Sequence, residues 1–329
     1  MITRRQILAA VAASGLASPL RVLAQLRPEK LPRIGFLFGG SKESVAARLD
    51  NMRAGLRDLG YEEGKNITMK YRFADGQYQR QHELAAELVK SGVDVLVTSG
   101  TPATRAAQRT TSSIPIVMMG VGDPVESGFV ASLSRPGGNI TGTTNISPEI
   151  GAKRLALLIA VVPKLTRVAV LLNGNNPTRN ANFNAALIAA QTAGVQAVRI
   201  EVRNKEDFER AFAEMKRQRV NAFMTQTDQF FHQQRAQIIQ FAARERLPGI
   251  YGDADYAEGG GLMSYGTNVV LLSKRAAVYI DKILKGAKPA DLPVEQPTTL
   301  ELTINRKTAD ALGIKLSPSI LVQATKVIE

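Results

Sequence analysis

The chain repeats one pattern of strand, loop and helix in its two halves, and this repeat constrains the fold more than any other feature. Residues 33–61 align with residues 167–195 without a gap, at an offset of 134 positions. Two further matches follow in the same order, 93–101 with 220–228 and 114–117 with 247–250. Three ordered matches at nearly constant offset are hard to ascribe to chance. We therefore predict two lobes of similar architecture, which a chain of 329 residues also favours.

Apolar runs alternate with helical patterns in each half. The runs are near-continuous, which is typical of strands in a parallel sheet that helices cover on both faces. The predicted strands are 33–38, 67–73, 93–98, 115–120, 167–172, 196–202, 220–225, 248–252 and 298–304. The predicted helices are 44–59, 78–91, 102–110, 178–193, 205–218, 232–245, 271–285 and about 305–312. We expect an α/β fold of two doubly wound, Rossmann-like lobes joined by hinge crossings.

A single chain that forms two lobes and a returning tail must cross between them. We place the crossings near 141–150, 262–270 and 289–298. The corresponding lobes are 31–145 with about 268–290, and 146–265 with about 296–329. Ligands of doubly wound lobes bind outside the carboxyl ends of the strands, where the repeat places its polar loops.

The first 24 residues have the pattern of an export signal. Arg4 and Arg5 precede an uncharged run over 7–20, and small residues at 22–24 suit cleavage by a signal peptidase. The Arg pair also resembles a twin-arginine signal, so both an ordinary secretory route and export in the folded state stay open. No Cys follows the apolar run. We expect a soluble periplasmic protein without a lipid anchor.

Composition excludes several classes of function. The net charge is +13, and loss of the first 24 residues with their three Arg would leave about +10. The basic residues are scattered among acidic ones, aromatic residues make up 5% and Trp is absent, so we expect no nucleic-acid partner. Cysteine is also absent, which excludes disulfides and thiolate chemistry. We expect neither a cofactor nor a metal.

The stretch VDVLVTSGTPATRAAQ, residues 93–108, passes from a buried strand to a helix through small polar residues. Thr101 suits the N-cap of this helix and Pro102 its first position. The free N–H groups and the helix dipole then favour a carboxylate or another anion. The Gly and Lys spacing of a phosphate loop is missing. We therefore predict ligand contact at Thr101, and capping alone is the alternative.

The repeat partner of this loop, Gln226-Thr227-Asp228, replaces the hydroxyl with a carboxylate. Across a cleft, an anion site near Thr101 and a carboxylate at Asp228 would suit a zwitterion. Asp228 would equally serve as the N-cap of a helix that begins near Phe231, and the residues alone do not decide between the two roles.

Gly39-Gly40-Ser41 and Asn173-Gly174-Asn175 follow the first strand of each half. The spacing of a dinucleotide site is absent, so their hydroxyl and amide groups indicate hydrogen bonding to a ligand. The pair Asp253 and Asp255 would fit a glycosidase, but turn chemistry explains it as well.

Three segments resemble a known family: RIGFLFGG from residue 33, DPVESGFVASLSRPGGNITGTTN at 123–145 and KILKGAKPADLPVEQPTTLELTINRKTADALGI at 282–314. They are similar to the ABC transporter substrate-binding proteins of the tryptophan/tyrosine-binding type. The resemblance runs from about residue 32 to 325, and RPGGNITG at 135–142 is its most specific run. It implies lobes of the class I periplasmic-binding type that close on a small solute, such as an amino acid, and deliver it to a membrane permease.

The resemblance also implies, by loop position, where the ligand binds. The implied ligand-binding residues are Ser41, Thr101, Pro102, Asp123, Asn173, Asn175, Thr227, Asp228 and Asp253. Because Trp is absent, stacking on an aromatic ligand would fall to Phe38, Tyr251, Tyr256 or Tyr265.

Two alternatives to transport stay open. A ligand-sensing module that serves a membrane receptor would have the same fold. A periplasmic α/β hydrolase would need a general base near Ser41 or Thr101, and the sequence offers no His there. The two histidines, His82 and His232, belong to predicted helices, and we interpret them as surface residues rather than bases. Neither a Gly-x-Ser-x-Gly nor a His-x-x-x-His pattern occurs. We therefore expect a monomeric binding protein rather than an enzyme.

Overall fold

The computed structural model describes residues 31–145, 147–297 and 299–329, and residues 32–329 form one compact unit. The predicted export signal at 1–24 lies outside the described residues. Within the described part of the chain, no helix combines the length and the apolar character needed to cross a membrane.

Lobe 1 is built on a sheet of five parallel strands in the order β2-β1-β3-β4-β5. The strands are β1 (Arg33–Phe38), β2 (Thr68–Phe73), β3 (Val95–Ser99), β4 (Ile116–Val121) and β5 (Ile140–Thr144). The helices between them are α1 (Ala46–Asp58), α2 (Gln81–Lys90) and α3 (Gly100–Thr110), with a 3-10 turn at Tyr78–Arg80.

Lobe 2 is built on a sheet of seven strands in the order β12-β11-β10-β9-β8-β6-β7. Its strands are β6 (Arg167–Asn173), β7 (Gln196–Val202), β8 (Ala222–Thr225), β9 (Gly249–Tyr251), β10 (Met263–Thr267), β11 (Leu300–Asn305) and β12 (Lys326–Ile328). Its helices are α4 (Ser147–Val161), α5 (Arg179–Thr192), α6 (Asp207–Arg217), α7 (Gln229–Gln233), α8 (Arg235–Arg244), α9 (Ala254–Glu258), α11 (Arg306–Leu312) and α12 (Pro318–Gln323). The remaining helix, α10 (Val269–Leu284), packs against α1 of lobe 1.

The strand orders show the internal repeat directly. The first five strands of lobe 2, read as β7-β6-β8-β9-β10, have the same parallel order as the five strands of lobe 1. The predicted fold class is therefore confirmed. Lobe 2 then adds β11, which pairs antiparallel with β10, and β12.

Side chains alternate across each sheet and divide each lobe into two apolar layers. In β1, Phe36 and Phe38 point to the layer that contains α1 and α10, whereas Leu37 points to the layer of α2 and α3. In lobe 2, α4, α5, α11 and α12 cover one face, and α6 to α9 cover the other.

The sequence prediction missed several elements near the crossings. Much of 141–150 was predicted as hinge, but it belongs to β5 and α4, and much of 262–270 is β10. The chain leaves lobe 1 between Thr144 and Ser147, and it leaves lobe 2 between Thr267 and Val269. The third crossing follows Glu295, which forms a parallel bridge with Thr143 beside β5.

The run RPGGNITG has a steric role at the start of the first crossing. Gly142 lies in β5 with a φ of +132°, a conformation that residues with a side chain rarely adopt. A Cβ atom at this position would collide with the carbonyl oxygen and nitrogen of Met118 in β4. Glycine is therefore required where β4 and β5 approach each other.

We expect Gly142→Ala to lower the free energy of unfolding by about 3 kcal/mol or more, because it combines backbone strain with a backbone collision. Gly138→Ala is the matched control, since a Cβ there has open space and the φ of Gly138 is not positive. It should change stability by less than about 0.5 kcal/mol. Denaturant unfolding of the two variants measures both values, and equal stabilities would contradict this account.

Candidate functional site

A cavity of about 750 Å³, counting its open mouth, lies between the two lobes. Its walls come from the carboxyl ends of strands and from the loops that follow them, where ligands of doubly wound sheets bind. The lining residues are Arg48, Tyr78, Ser99, Gly100, Thr101, Pro102, Met119, Gly120, Gly122, Asn145, Asn176, Thr178, Asn182, Thr227, Asp228, Gln229, Asp253, Leu272 and Ser273. Most of them carry hydroxyl, amide or carboxylate groups, so the cavity offers many hydrogen-bonding positions.

The amino end of α3 forms the lobe 1 wall. Helix α3 is described from Gly100, with Ser99 at the N-cap position, so the expectation that Thr101 is the N-cap is wrong. The hydroxyl oxygen of Thr101 instead accepts a hydrogen bond from the backbone N–H of Gly122, at 3.1 Å, which ties the helix to the end of β4. Thr101 and Pro102 both line the cavity. The predicted ligand contact at Thr101 requires this position, and the contact itself stays a prediction.

Gln229 of lobe 2 inserts its side-chain amide into lobe 1. Its oxygen accepts hydrogen bonds from the backbone N–H groups of Gly39 and Gly40, at 2.8 and 3.1 Å. Its nitrogen donates to the carbonyl oxygen of Ser99 at 2.9 Å, and also to the Ser99 hydroxyl. One side chain therefore joins the loop after β1 and the end of β3 to the opposite lobe.

Asp228 is buried, with 7% of its surface exposed, and its carboxylate accepts five hydrogen bonds. Four of the donors belong to lobe 2: the backbone N–H groups of Phe230 and Phe231, the amide of Asn173 and the amide of Asn176, the last at 2.7 Å. The fifth donor is the hydroxyl of Tyr78 from lobe 1, at 2.8 Å.

These contacts give Asp228 the capping role at α7. The expectation that it receives a ligand ammonium is not supported, because donors of the protein already surround its oxygens. Burial and the Asp228 carboxylate raise the pKa of Tyr78 well above its usual value. The phenol is therefore neutral at neutral pH and donates its proton across the interface between the lobes.

Asp253 differs from Asp228 in one respect. It lines the same cavity and is 5% exposed, but its Oδ1 atom has no hydrogen-bond partner. It stands at the N-cap position of α9 without making a capping hydrogen bond. A buried carboxylate oxygen without a donor is costly, so this atom has an unused capacity to accept a hydrogen bond.

A buried arginine lies next to this wall. Arg154 of α4 donates from Nε to the carbonyl oxygen of Tyr265, at 2.6 Å, and from Nη2 to the hydroxyl of Thr227, at 3.0 Å. Burial lowers the pKa of Arg154 to about 10, and the charge of Asp253 opposes that shift. The guanidinium is therefore still charged at neutral pH.

Four of the residues that the resemblance implied do not line this cavity. Ser41 is a turn residue whose hydroxyl oxygen accepts a hydrogen bond from the N–H of Ser44. Asp123 lies in an exposed turn, where its carboxylate accepts from the N–H groups of Val125 and Glu126. Asn173 is 1% exposed and supports Asp228 from behind. Asn175 is exposed, and its amide donates to the carbonyl oxygen of Arg203.

The aromatic residues expected to stack on a ligand are elsewhere. Phe38 stacks on Phe73 in the lobe 1 core, and Tyr251 stacks on Tyr256 in the lobe 2 core. Tyr265 packs against the other apolar layer of lobe 2. The aromatic side chain among the cavity residues is Tyr78, from the 3-10 turn before α2.

Several cavity residues were missed by the sequence prediction. Asn176 and Thr178 follow directly after Asn175, and nothing in the run Asn-Gly-Asn-Asn indicates which amide turns inward. Asn182 lies one turn further into α5, and Ser273 lies on α10. The local sequence of a helix that returns from lobe 2 to lobe 1 does not indicate which of its side chains face the cavity.

The histidines do not form a catalytic arrangement in the described part of the chain. His82 is exposed, and its Nδ1 lies 3.4 Å from the Thr110 hydroxyl. His232 is 5% exposed, so its predicted surface position is wrong, and its Nε2 lies 2.8 Å from Oδ2 of Asp255. That pair holds α7 to α9. Within the described residues, no group of three or more potential metal ligands comes together.

Two lobes on mainly parallel sheets, with a polar cavity between their strand ends, have the architecture of a two-lobe solute-binding protein. The chain belongs to the ABC transporter substrate binding protein family, whose model matches residues 40–328. The family expected from the sequence is therefore confirmed.

Individual relatives support this assignment. The chain is similar to a tyrosine-binding protein of Clostridioides difficile, with 26% identity over 79% of this chain and 74% of the relative. A conserved domain protein from Vibrio cholerae has a TM-score of 0.85 at 26% identity, and covers 91% of this chain and 100% of its own. An ABC domain from Streptococcus pneumonia, in complex with L-Trp, has a TM-score of 0.85 at 25% identity with the same coverage.

We expect Asp228→Ala to lower the free energy of unfolding by about 3 kcal/mol, because it removes an N-cap and leaves buried donors without an acceptor. Ser317→Ala is the matched control, since the Ser317 hydroxyl caps α12 by accepting one backbone hydrogen bond, from the N–H of Ile320, and its other partner is the exposed hydroxyl of Ser319. It should cost about 1 kcal/mol or less. Denaturant unfolding compares the two variants, and similar losses would show that the network around Asp228 adds nothing to its cap.

We expect Gln229→Ala to increase the hydrogen-exchange rates of the Gly39 and Gly40 amides about tenfold or more, because each loses its acceptor. Gln233→Ala is the control in the same helix, since the side-chain oxygen of Gln233 has no hydrogen-bond partner. Exchange measured residue by residue tests this difference. Unchanged protection of Gly39 and Gly40 would show that Gln229 does not hold the lobes together in solution.

Proposed function

We propose that this protein is the exported substrate-binding component of an ABC importer and that its solute is an amino acid or a similar small compound with an ammonium group. The observation that carries this proposal is the unpartnered Oδ1 of Asp253, which is buried in the wall of the interlobe cavity. An ammonium group is the ligand chemistry that such an atom favours most, because a charge-assisted hydrogen bond would satisfy it.

The relatives support the solute class. One is called a tyrosine-binding protein, and another binds L-Trp in its crystals. Both of those ligands carry the ammonium and carboxylate groups of an amino acid. Among the described residues in the walls of this cavity, Tyr78 is the one aromatic residue, and Met119 and Leu272 add apolar surface. We therefore expect the solute to carry the ammonium and carboxylate groups of an amino acid, and we leave the chemistry of its side chain open.

The mechanism is closure of two lobes on the solute. Gln229 and the pair Tyr78–Asp228 connect the lobes directly across the cleft. These hydrogen bonds form only when the lobes approach, so they add to the solute's own contacts in stabilising the closed form. The permease of the importer would then recognise that form and take the solute from it.

The remaining expectations follow from this role. The segment 1–24 directs export to the periplasm and is removed, and the mature protein works as a monomer that binds without catalysis. Polar loop groups orient the solute, and closure excludes water from it.

Asp253→Asn tests the proposal. We expect the twenty L-amino acids to include at least one that raises the Tm of residues 25–329, and we expect Asp253→Asn to weaken its binding about tenfold or more. Asp123→Asn is the matched control, because Asp123 lies in an exposed turn outside this cavity and Asn keeps the acceptor that the turn needs. It should bind like the wild type. Thermal shift and calorimetry supply both readouts.

Stabilisation by sugars or nucleosides alone would contradict an amino acid solute while leaving the family role intact. Equal affinities of Asp253→Asn and the wild type would contradict the role of Asp253.

A further inference from the structure

Arg48 supplies the positive charge among the described residues that line the interlobe cavity. It lies in the first turn of α1 in lobe 1 and is half-buried. The other described lining side chains are neutral, apart from the carboxylates of Asp228 and Asp253. Donors of the protein surround Asp228, so Arg48 and Asp253 are the charged groups of this wall that a ligand can still use.

The guanidinium of Arg48 has no acceptor of its own. Within the described part of the chain it makes neither a hydrogen bond nor an ion pair. By contrast, Arg53 of the same helix donates to the Tyr71 hydroxyl and pairs with Asp50. A guanidinium presents five N–H donors in a planar fork that matches the two oxygens of a carboxylate. In the wall of a cavity, such a group favours an anionic part of a ligand.

The internal repeat supports a ligand role for this position. The offset of 134 between 33–61 and 167–195 pairs Arg48 with Asn182 of α5, and both residues line the cavity. The first helix of each lobe therefore turns the same position toward the cleft. In lobe 2 the Asn182 amide donates to the carbonyl and hydroxyl oxygens of Thr178, whereas the charged side chain in lobe 1 has no such acceptor.

Arg48 reaches toward the part of lobe 2 that contains Asp253. The hydrogen bond with His232 is the main cause that lowers the pKa of Asp255, and the charge of Arg48 lowers it further. Asp255 lies in the first turn of α9, and Asp253 is the N-cap residue of that helix. The cation of lobe 1 and the unpartnered carboxylate oxygen of lobe 2 therefore lie at the same end of the cavity.

The other arginine near this site does not compete for the same role. Arg154 donates to the Tyr265 carbonyl and the Thr227 hydroxyl, and it lies beside the Asp253 carboxylate. Its charge is therefore balanced within lobe 2, whereas the guanidinium of Arg48 has no acceptor.

We propose that Arg48 binds the carboxylate of the solute, so that an amino acid joins the two lobes through its two charged groups. This inference rests on the proposed function. The carboxylate accepts from the Arg48 guanidinium of lobe 1, and the ammonium donates to Oδ1 of Asp253 in lobe 2. A compound that lacks either group loses its contact with one lobe, so the head group both selects the solute and holds the cleft closed.

The test compares L-amino acids with their primary amides, which keep the ammonium group and lack the carboxylate. For each L-amino acid that stabilises the wild type, calorimetry should show that its amide binds at least tenfold more weakly. In Arg48→Gln, which removes the charge, the acid and the amide should bind within about threefold of each other. The Tm without solute should change by no more than about 2 °C, because Arg48 has no acceptor in the protein.

Arg57→Gln is the matched control. Arg57 lies on the same helix, is exposed and lies outside the cavity, so this variant loses the same charge without changing the wall. It should keep the wild-type affinity and the preference for the acid. Asp253→Asn is the complementary variant. It should still prefer the acid to the amide, and it should discriminate less against the 2-hydroxy acid, in which a hydroxyl replaces the ammonium group.

Small-angle X-ray scattering measures the connection between the lobes in the wild type itself. A saturating amino acid should decrease the radius of gyration, and its amide, also at saturation, should leave the radius close to the value without solute. Equal radii in the two complexes would overturn the connection through Arg48, even if Arg48→Gln did not fold.

The outcomes separate the two proposals. If no L-amino acid stabilises the wild type, both are overturned. If Arg48 only pairs with Asp255 across the cleft, Arg48→Gln will weaken the acid and the amide equally and keep the tenfold preference. That result overturns the role of Arg48, and weak binding by Asp253→Asn then leaves the proposed function standing.

Discussion

The packing of α10 on lobe 1 is the constraint on which the rest of the structure depends. Ala276, Ala277 and Ile280 of this helix are fully buried in the same apolar layer as β1 and α1. Gly55 of α1 allows the close approach, since a Cβ there would lie 3.0 Å from that of Ala277. Lobe 1 therefore has no complete core until the chain has built most of lobe 2 and returned. The crossings, the facing strand ends and the cavity between them all follow from that return.

The fold was largely predictable, because the repeated pattern of strand, loop and helix in the two halves of the chain indicates two similar lobes. Buried runs such as 33–38 and 167–173 are continuous and apolar, and the loops after them are polar, so the main strands, the fold class and the two lobes followed from the pattern. The elements at the crossings were harder. β5 reads Ile-Thr-Gly-Thr-Thr, which has too few apolar residues to stand out as a strand. Its place in the sheet is set by β4 beside it and by the bridge to Glu295, contacts that no local pattern encodes.

The candidate site was predictable by loop but not by residue. The sequence placed polar loops at the strand ends, and Thr101, Thr227 and Asp253 do line the cavity. The sequence did not distinguish the carboxylate of Asp228 from that of Asp253, because their roles depend on hydrogen-bond donors from distant segments. Tyr78, for example, lies 150 residues from Asp228 in the chain. Arg154 was missed for the same reason. It lies in a helix without a repeat partner, and only tertiary packing brings it to Thr227.

The bridge between Glu295 and Thr143 has a consequence for self-association. β5 is the edge strand of the lobe 1 sheet, and an open edge is a template on which another chain can add a strand. Glu295 donates its N–H to the Gly142 carbonyl and accepts from the N–H of Thr144, and its carboxylate pairs with Arg275. The segment that returns the chain to lobe 2 thus also covers this edge with a charged residue. Loosening it would expose β5 and favour aggregation.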